Sequence, residues 1–395
     1  MNNKEKTPLE LYVHIPFCVK KCDYCDFLSG SGGREKQKAY VQALLKEIQS
    51  IPELPDREAA TIFIGGGTPS VLDASDINRV LDALRDRFYI SEKAEITMEA
   101  NPGTLTREKL DIYRSAGISR LSIGLQSADD QELRTLGRIH TYEEFLESYY
   151  LAREAGFDNI NIDLMSAIPG QTRENWRRNL KTVAELKPEH ISAYSLIVEE
   201  GTPFANRELN LPDEDTEYQM YEDTAEILRD YGYCQYEISN YALEGCECRH
   251  NIGYWKRTEY LGLGLGAASL AGAGLWEQLT GNKSPGNREY RFSNTRDMQE
   301  YLQYSAVPGM VRKEISGLSD EECQEEFMFL GLRMTEGISE KEFQRCFGTD
   351  LDKVYGSILE KYRNMGFLEK KGSFWHFTRQ GIHVSNCILA DFIQD

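Results

Sequence analysis

The sequence predicts an α/β protein, a partial (β/α)6 barrel followed by a small, mainly helical C-terminal domain that resembles a winged helix. Short apolar, β-branched runs alternate with longer stretches of helical periodicity, which is the pattern of a parallel sheet whose strands are joined by helices. Charged residues end several of these runs, where a (β/α) barrel carries its chemistry. The length of 395 residues is sufficient for two or three domains.

Each element of the barrel is predicted from its own stretch of sequence. The predicted strands span residues 11–17, 61–64, 95–99, 120–125, 159–165 and 190–196. The predicted helices span residues 34–50, 76–88, 106–115, 129–155 (in two pieces) and 172–187. Several of these helices begin at a Ser, Thr or Asp that can cap the first turn. Because a closed barrel of this kind has eight units, six units predict a barrel that is open along one side.

The pattern changes after residue 196. We predict three regions, a barrel at 1–235, a connecting region at 236–315 and a helical domain at 316–395. Within the connecting region, the glycine-rich segment 261–276 predicts a buried strand and turn, and the polar segment 280–297 predicts a loop. The C-terminal domain is predicted to contain helices at 319–334, 339–347 and 350–364, a hairpin at 367–377 and a final helix at 378–393.

The composition excludes several classes of function. The chain has 45 Lys and Arg against 64 Asp and Glu, a net charge of −19, and such a surface repels nucleic acid. The first ten residues are charged and lack the apolar core of a signal peptide. No apolar run reaches the ~18 residues that a membrane span needs. We therefore expect a cytoplasmic protein with no nucleic-acid partner and no transmembrane segment.

The strongest chemical signal is a C-x3-C-x2-C run, Cys18, Cys22 and Cys25, directly after the first predicted strand. Three thiolates on one short loop can bind three irons of a 4Fe-4S cluster and leave the fourth iron open. Zinc is the alternative metal. Structural zinc sites use four ligands, however, and the nearby fourth candidate, His14, lies in the preceding strand.

Further candidate residues lie where later strands end. The run G-G-G-T-P at 65–69 follows the second strand, and glycines there allow a ligand to approach the backbone closely. A simple turn is the alternative. Glu99, Gln126, Arg138 and Asp163 lie at or beyond the ends of later strands, and buried carboxylates need partners. We expect these residues to line one mouth of the barrel, although each of them could instead form a structural ion pair or cap.

The cysteine run resembles the hallmark of radical S-adenosylmethionine (SAM) enzymes, whose fold is a full or partial (β/α) barrel. The resemblance implies that SAM chelates the open iron and that an electron from the cluster cleaves it. Longer strings, such as Y-V-H-I-P-F-C, F-I-G-G-G-T-P-S and L-S-I-G-L-Q-S, resemble the oxygen-independent coproporphyrinogen III oxidase group over nearly the whole chain. This resemblance places on SAM-contacting positions Tyr12, Tyr24, Gly66, Gly67, Thr68, Glu99, Gln126, Arg138 and Asp163.

One departure from that group is informative. The oxidase carries a further cysteine two residues after the third, whereas this chain has Phe27. In this feature the chain resembles the sister branch of haem chaperones, HemW. The run H-N-I-G-Y-W at 250–255 is similar to the H-N-x-x-Y-W motif associated with haem binding in that branch, which implies a haem site at His250, Asn251, Tyr254 and Trp255. The alternative is a histidine that caps a turn beside two core aromatic residues.

The resemblance therefore implies a haem chaperone that binds a 4Fe-4S cluster, SAM and haem and that delivers haem to target proteins without coproporphyrinogen oxidase activity. An electron donor for the cluster is an expected partner, and a homodimer is left open. The alternatives are a coproporphyrinogen III dehydrogenase or another radical SAM enzyme acting on a tetrapyrrole, an iron-sulfur scaffold, and a tRNA-modifying enzyme, which the acidic composition disfavours. No catalytic residue is assigned. Arg138 and Arg249 are the first candidates to neutralise haem propionates.

The other six of the nine cysteines are expected to bind nothing. Cys246, Cys248 and His250 could form a small metal site with Cys234, but a loop with incidental cysteines is the favoured interpretation. The cysteines in the C-terminal helices are expected to lie in the core: Cys323, Cys346 and Cys387.

Overall fold

A computed structural model describes the protein over residues 6–393. Parallel strands form its centre: β1 (Thr7–Ile15), β2 (Arg57–Gly66), β3 (Ile90–Ala100), β4 (Arg120–Gln126), β5 (Ile160–Ser166) and β6 (His190–Ser195). The helices between them are α1 (Arg34–Ser50), α2 (Ala74–Arg87), α3 (Arg107–Ser115), α4 (Asp130–Thr135), α5 (Tyr142–Glu154) and α6 (Arg173–Glu185). The α/β prediction is confirmed, and the segment 129–155 forms two helices as expected.

The two faces of the central strands differ in polarity. On β1, Leu11 and Val13 are fully buried against the helices, whereas Glu10, Tyr12 and His14 lie on the opposite face because strand side chains alternate. The same inner face carries buried polar residues of the other strands: Thr61, Glu95, Thr97, Arg120, Asn161 and His190. Buried polar groups are stable where they find partners, and Asn161 and His190, for example, are hydrogen-bonded to each other in the barrel interior.

The sheet continues beyond both edges of the six-stranded centre. Next to β1 lie β9 (Tyr260–Leu263), β10 (Ala268–Gly272), β11 (Glu289–Asn294) and β12 (Arg312–Leu318), and next to β6 lie β8 (Asn240–Ala242) and β7 (Cys234–Gln235). Strand β9 is parallel to β1, and the other added strands are antiparallel to their neighbours. The resulting sheet has 12 strands, with β12 and β7 at its two ends, so it remains open.

The helices of this middle region are α7 (Glu214–Asp230), α8 (Arg249–Trp255), α9 (Ala273–Thr280), α10 (Met298–Tyr304) and α11 (Pro308–Val311). The prediction of a loop at 280–297 is wrong, because this segment contains β11. Only Tyr290 and Phe292 are large apolar residues in β11, and they alternate with polar ones, so the strand is short and inconspicuous in sequence. Backbone hydrogen bonds to β10 on one side and β12 on the other stabilise it.

The C-terminal region packs around its own hydrophobic cluster, which includes Tyr355 and Trp375. Its elements are α12 (Asp320–Gly331), β13 (Ile338–Ser339), α13 (Glu340–Phe347), α14 (Leu351–Asn364), β14 (Leu368–Lys371), β15 (Phe374–Phe377), α15 (Arg379–His383) and α16 (Ser385–Ala390). The predicted final helix is two helices, because Val384 leaves the helical conformation with φ −110° and ψ 17°. None of the helices within residues 6–393 combines the length and the apolar character needed to cross a bilayer.

The three C-terminal cysteines have different environments. Cys323 is fully buried, as predicted. Cys346 is only partly buried, and Cys387 is exposed, so the prediction of a core position is wrong for Cys387. Helix α16 is short and buries only one side, with Ile388 and Leu389 inward, which leaves the neighbouring Cys387 on the outside.

Candidate functional site

The three cysteines of the C-x3-C-x2-C run lie on the loop that follows β1. All three thiols are free and only partly buried. The sulfur of Cys18 accepts a hydrogen bond from Thr68 Oγ1 at 3.5 Å, and the sulfur of Cys22 accepts one from Arg138 Nη1 at 3.6 Å. The backbone N–H of Cys25 donates to the carbonyl of Cys22 at 3.3 Å, which keeps the loop tight. The loop therefore presents its thiols to a common space.

The glycine run after β2 packs against the start of this cysteine loop. The Gly67 N–H donates to the carbonyl of Ile15 at 2.9 Å, and the Thr68 N–H donates to that of Phe17 at 2.7 Å. A Cβ on Gly67 would lie 2.6 Å from the Phe17 carbonyl oxygen, so no other residue fits there. Gly66 has a φ of +108°, which a residue with a side chain rarely adopts. The two glycines thus hold the two loops in register.

Most of the residues predicted to contact the cluster or SAM line one cavity of about 250 Å³, here called the cluster cavity. They are Cys18, Cys22, Cys25, Tyr24, Gly66, Gly67, Thr68, Glu99, Gln126, Arg138 and Asp163. Tyr12 is the exception. Its hydroxyl lies 2.9 Å from His14 Nδ1, and its ring lines a second cavity, described below.

Two carboxylates give the cluster cavity its electrostatic character. Glu99 Oε2 accepts a hydrogen bond from the Gly66 N–H at 3.0 Å, and burial together with the nearby Asp163 raises the pKa of Glu99 to about 7. Asp163 accepts hydrogen bonds from Asn161 Nδ2 at 2.7 Å and from Ser122 Oγ at 3.3 Å, and burial raises its pKa as well. A buried carboxyl group whose pKa is raised by a neighbouring carboxylate favours a bound cation beside it.

This donor set fits a 4Fe-4S cluster with SAM. Thiolates are the usual ligands of such clusters, and the buried carboxylates suit a cationic amine or sulfonium. Within residues 6–393, no group of three or more His, Cys, Asp or Glu side chains is placed to hold a single metal ion. The thiols of Cys18, Cys22 and Cys25 are instead distributed around the wall of a cavity.

Two residues of this cavity were missed in the sequence. Asn101 donates through Nδ2 to Thr68 Oγ1 at 2.8 Å and accepts from Arg138 Nη2 at 2.8 Å, so it joins the glycine loop to the arginine. Tyr194 donates to Gln126 Oε1 at 2.8 Å, and Gln126 itself has a left-handed φ of 75°. Asn101 directly follows β3 and Tyr194 lies near the end of β6, so a position at the carboxyl end of a strand was the signal that could have found both.

The H-N-I-G-Y-W run forms α8, and this helix turns its histidine into the barrel. The side chain of His250 is 1% exposed, and its Nδ1 lies 2.7 Å from Thr61 Oγ1. Its ring stacks on Phe63 with a centroid distance of 5.2 Å and contacts the edge of the Tyr254 ring at 4.7 Å. Burial lowers the pKa of His250 to about 3, so the ring is neutral. Asn251, the next residue, is partly exposed.

The last two residues of the motif, Tyr254 and Trp255, line a second cavity of about 370 Å³, here called the aromatic cavity. Its other lining residues are Tyr12, Tyr260, Ala268, Leu270, Arg291 and Leu330. His250 is not among them, because it lies behind the ring of Tyr254. The one cationic group in this lining is Arg291, whose Nη1 lies 2.6 Å from Glu326 Oε1.

Comparisons with known proteins agree with this architecture. The chain matches the radical SAM superfamily over residues 12–183 and the HemN C-terminal domain over residues 318–384. It is 36% identical over 392 residues to heme chaperone HemW of Lactococcus lactis subsp. lactis (strain IL1403), with 98% of each chain covered. The chain belongs to the heme chaperone HemW family. Heme chaperone HemW of Escherichia coli (strain K12) is 35% identical over 390 residues, covering 98% of this chain and 99% of the relative.

A solved structure supports the fold of this HemW-family chain. Coproporphyrinogen III oxidase (HemN) from Escherichia coli superposes with a TM-score of 0.80 at 24% sequence identity, covering 99% of this chain and 91% of that one. In the HemW-family chain, Phe27 stands two residues after Cys25 and is 64% exposed at the rim of the cluster cavity. The phenylalanine at this position supplies no thiol to the cavity.

Two groups of residues considered in the sequence of this HemW-family chain, the propionate candidates and the cysteines near α8, do not line the aromatic cavity. Arg138 and Arg249 were the expected partners of propionates, but neither lines the aromatic cavity. Arg138 lies in the cluster cavity, and Arg249 donates to the carbonyl of Lys93 at 2.7 Å. Cys234 is exposed and Cys248 is buried at the start of α8, so these cysteines do not face a common site.

Proposed function

We propose that this protein is a haem chaperone, which binds haem in the aromatic cavity and transfers it to haem-accepting proteins in the cytoplasm. The observation that carries the proposal is the position of Tyr254 and Trp255 in the wall of an apolar cavity separate from the cluster cavity. The names of full-length relatives at 35–36% identity support it.

The cluster cavity would hold a 4Fe-4S cluster and SAM. Cys18, Cys22 and Cys25 would bind three irons, and Glu99 and Asp163 would attract the cationic end of SAM. When bound, the cluster supplies a single electron for reduction of SAM, and an external electron donor must provide it. Phe27 supplies no thiol, which supports a role other than coproporphyrinogen oxidation.

Haem fits the aromatic cavity for two physical reasons. The rings of Tyr12, Tyr254, Trp255 and Tyr260 offer flat apolar surfaces, which is what a macrocycle contacts best. Arg291 places a guanidinium at the edge of these rings, where a propionate would bind it. In this arrangement His250 holds α8 in place through its contact with Thr61 inside the barrel, and Tyr254 and Trp255 make the contacts to the ligand.

A haem titration of the purified protein, followed by absorbance, tests the proposal. We expect stoichiometric binding, and we expect Trp255→Ala to weaken it at least about tenfold because the variant removes one wall of the cavity. Tyr150→Ala is the matched control, since Tyr150 is a half-exposed aromatic residue on α5 outside both cavities and its variant should bind like the native protein.

The same sample decides between chaperone and oxidase. Under anaerobic conditions with dithionite and SAM, we expect coproporphyrinogen III to be recovered unchanged. Formation of protoporphyrinogen, or a failure of the native protein to bind haem, would refute the proposal.

A further inference from the structure

A line of buried hydrogen bonds crosses the barrel from the cluster cavity to α8, whose Tyr254 and Trp255 line the aromatic cavity. It branches at Asn161, which also donates to Ser122 Oγ and accepts from Ser192 Oγ. Asn161 Nδ2 donates to Asp163 Oδ1 at 2.7 Å, and Asn161 Oδ1 lies 2.6 Å from His190 Nδ1. His190 Nε2 lies 2.8 Å from the Tyr236 hydroxyl, which accepts from the backbone N–H of Cys248 at 3.3 Å. Cys248 is the residue that precedes the first turn of α8.

The two ends of this line determine the direction of every bond in it. Asp163 Oδ1 accepts from Asn161 Nδ2, so Asn161 turns its amide N–H toward Asp163 and its carbonyl toward His190. His190 therefore donates from Nδ1 and accepts at Nε2, so Tyr236 must donate to it. A backbone N–H can only donate, so Cys248 completes the line from the other end. Burial and the neighbouring Arg120 hold the pKa of His190 well below its usual value, which keeps the ring neutral as this pattern requires.

Behind Asp163, which lines the cluster cavity, the groups of the line are shielded from water. His190 and Cys248 are fully buried, Asn161 is 2% exposed and Tyr236 is 8% exposed. Hydrogen bonds in such surroundings polarise one another, so a change at one end is felt along the line. The Tyr236 ring also belongs to a small apolar cluster, with Ala242 and Met334, against which Trp255 packs, so the residue bonded to the start of α8 shares a cluster with the last residue of the helix.

We propose that His190, Asn161 and Tyr236 are positioning residues that couple the cluster cavity to α8, so that a ligand bound at Asp163 orders α8 and strengthens haem binding in the aromatic cavity. This inference rests on the proposed function for the identity of the two ligands. The sign is positive because a ligand that holds the Asp163 carboxylate in its accepting orientation stabilises every bond behind it. By reciprocity, haem must strengthen SAM binding by the same factor.

Tyr236→Phe is the variant that isolates the coupling. It removes only the hydroxyl that joins His190 to Cys248 and keeps the ring in its apolar cluster. Tyr241→Phe is the matched control, because the Tyr241 hydroxyl on β8 is also buried but has no hydrogen-bond partner in the described part of the chain.

The experiment measures amide hydrogen exchange of the α8 segment in the cluster-loaded, anaerobic protein with and without SAM. We expect SAM to slow exchange of the Cys248 amide about fivefold in the native protein and in Tyr241→Phe, and to leave it unchanged in Tyr236→Phe. Haem titrations of the same samples should show the same pattern, a SAM-dependent gain of about fivefold in haem affinity that Tyr236→Phe alone loses.

Several outcomes separate the inference from the proposed function. Unchanged Cys248 exchange on SAM binding in the native protein, or retention of the effect in Tyr236→Phe, overturns the coupling. A protein that binds SAM and shows the exchange effect but binds no haem refutes the chaperone function and supports the coupling. If SAM does not bind, the proposed binding of SAM in the cluster cavity fails. The coupling is then tested by Asp163→Ala, which must accelerate exchange of the Cys248 amide about fivefold, and unchanged exchange in this variant overturns it.

Discussion

Gly253 in the middle of α8 is required by a close contact, and Gly253→Ala tests this. In an open helix, replacing Gly by Ala stabilises the fold by about 1 kcal/mol. At position 253, however, the new Cβ would lie 1.8 Å from Glu10 Oε1 and 2.2 Å from its Cδ. Glu10 is 3% exposed beneath α8, so its carboxyl group cannot move into solvent. Forcing a methyl group into a filled site costs about 1–3 kcal/mol.

The steric cost offsets the helix-propensity gain, so we expect Gly253→Ala to lower the free energy of unfolding by up to about 2 kcal/mol. Gly356→Ala is the matched control, since Gly356 lies within α14 and a Cβ there would only make an ordinary contact of 3.5 Å with the Asp352 Cβ. This control should raise stability by about 1 kcal/mol. For a chain of this length the two variants should differ in Tm by roughly 2–4 °C in thermal unfolding.

A second substitution identifies the cause. Burial and the neighbouring Glu95 raise the pKa of Glu10 to about 9, so its carboxyl is neutral at pH 7 and its removal breaks no ion pair. Glu10→Ala should therefore restore part of the stability that Gly253→Ala loses, with a coupling of at least about 1 kcal/mol in a double-mutant cycle. The reasoning is refuted if Gly253→Ala stabilises the protein as much as Gly356→Ala does, or if the two changes are additive.

Three further outcomes follow from the cluster cavity. The pKa of Glu99 is raised from 4.5 to about 7, so its contribution to native stability should fall as pH rises from about 4.5 to 7. Measured as Tm against pH, Glu99→Gln should show a smaller decline than the native protein, because Asp163 and Glu10 still titrate, and it should be about 1–3 kcal/mol more stable at pH 8 without ligands. Cys22→Ser should abolish stable cluster incorporation, measured as iron and sulfide content, and a full cluster in this variant would contradict the ligand assignment. Phe27→Ala should change stability by less than about 0.5 kcal/mol and leave iron content unaltered, because the side chain is 64% exposed; loss of the cluster would show a role for this residue.

Much of the fold was predictable because its signals are local. An apolar, β-branched run predicts each strand of the barrel, and the spacing of apolar residues predicts each helix. Both patterns lie within a few consecutive residues and do not depend on distant ones. Strand β11 was missed because its alternation is short and polar, and only pairing with β10 and β12 makes it a strand. The exposure of Cys387 was missed for a similar reason, since only packing decides which side of a short helix is covered.

The candidate cluster site was largely visible in sequence because parallel strands bring their carboxyl ends to one mouth. Cys18, Glu99 and Asp163 therefore meet although they are far apart in the chain. Tyr12 was predicted to share that mouth, but it lies deeper on β1, and the added strands β9 and β10 enclose it in the aromatic cavity. The sequence of β1 contains no information about which strand will pair with its free edge.

The amino-acid sequence alone thus determines the βα order, the three candidate cluster cysteines, the absence of a thiol at Phe27 and the presence of an aromatic motif at 250–255. Tertiary structure decides what that motif does. His250 faces inward, Tyr254 and Trp255 face a cavity, and Arg291 arrives from a strand that was not predicted. The physical reason is the sequence separation of the interacting residues. Helix and strand periodicity depends on residues a few positions apart, whereas cavities and buried hydrogen-bond lines, such as that from Asp163 to Cys248, form only when distant elements pack together.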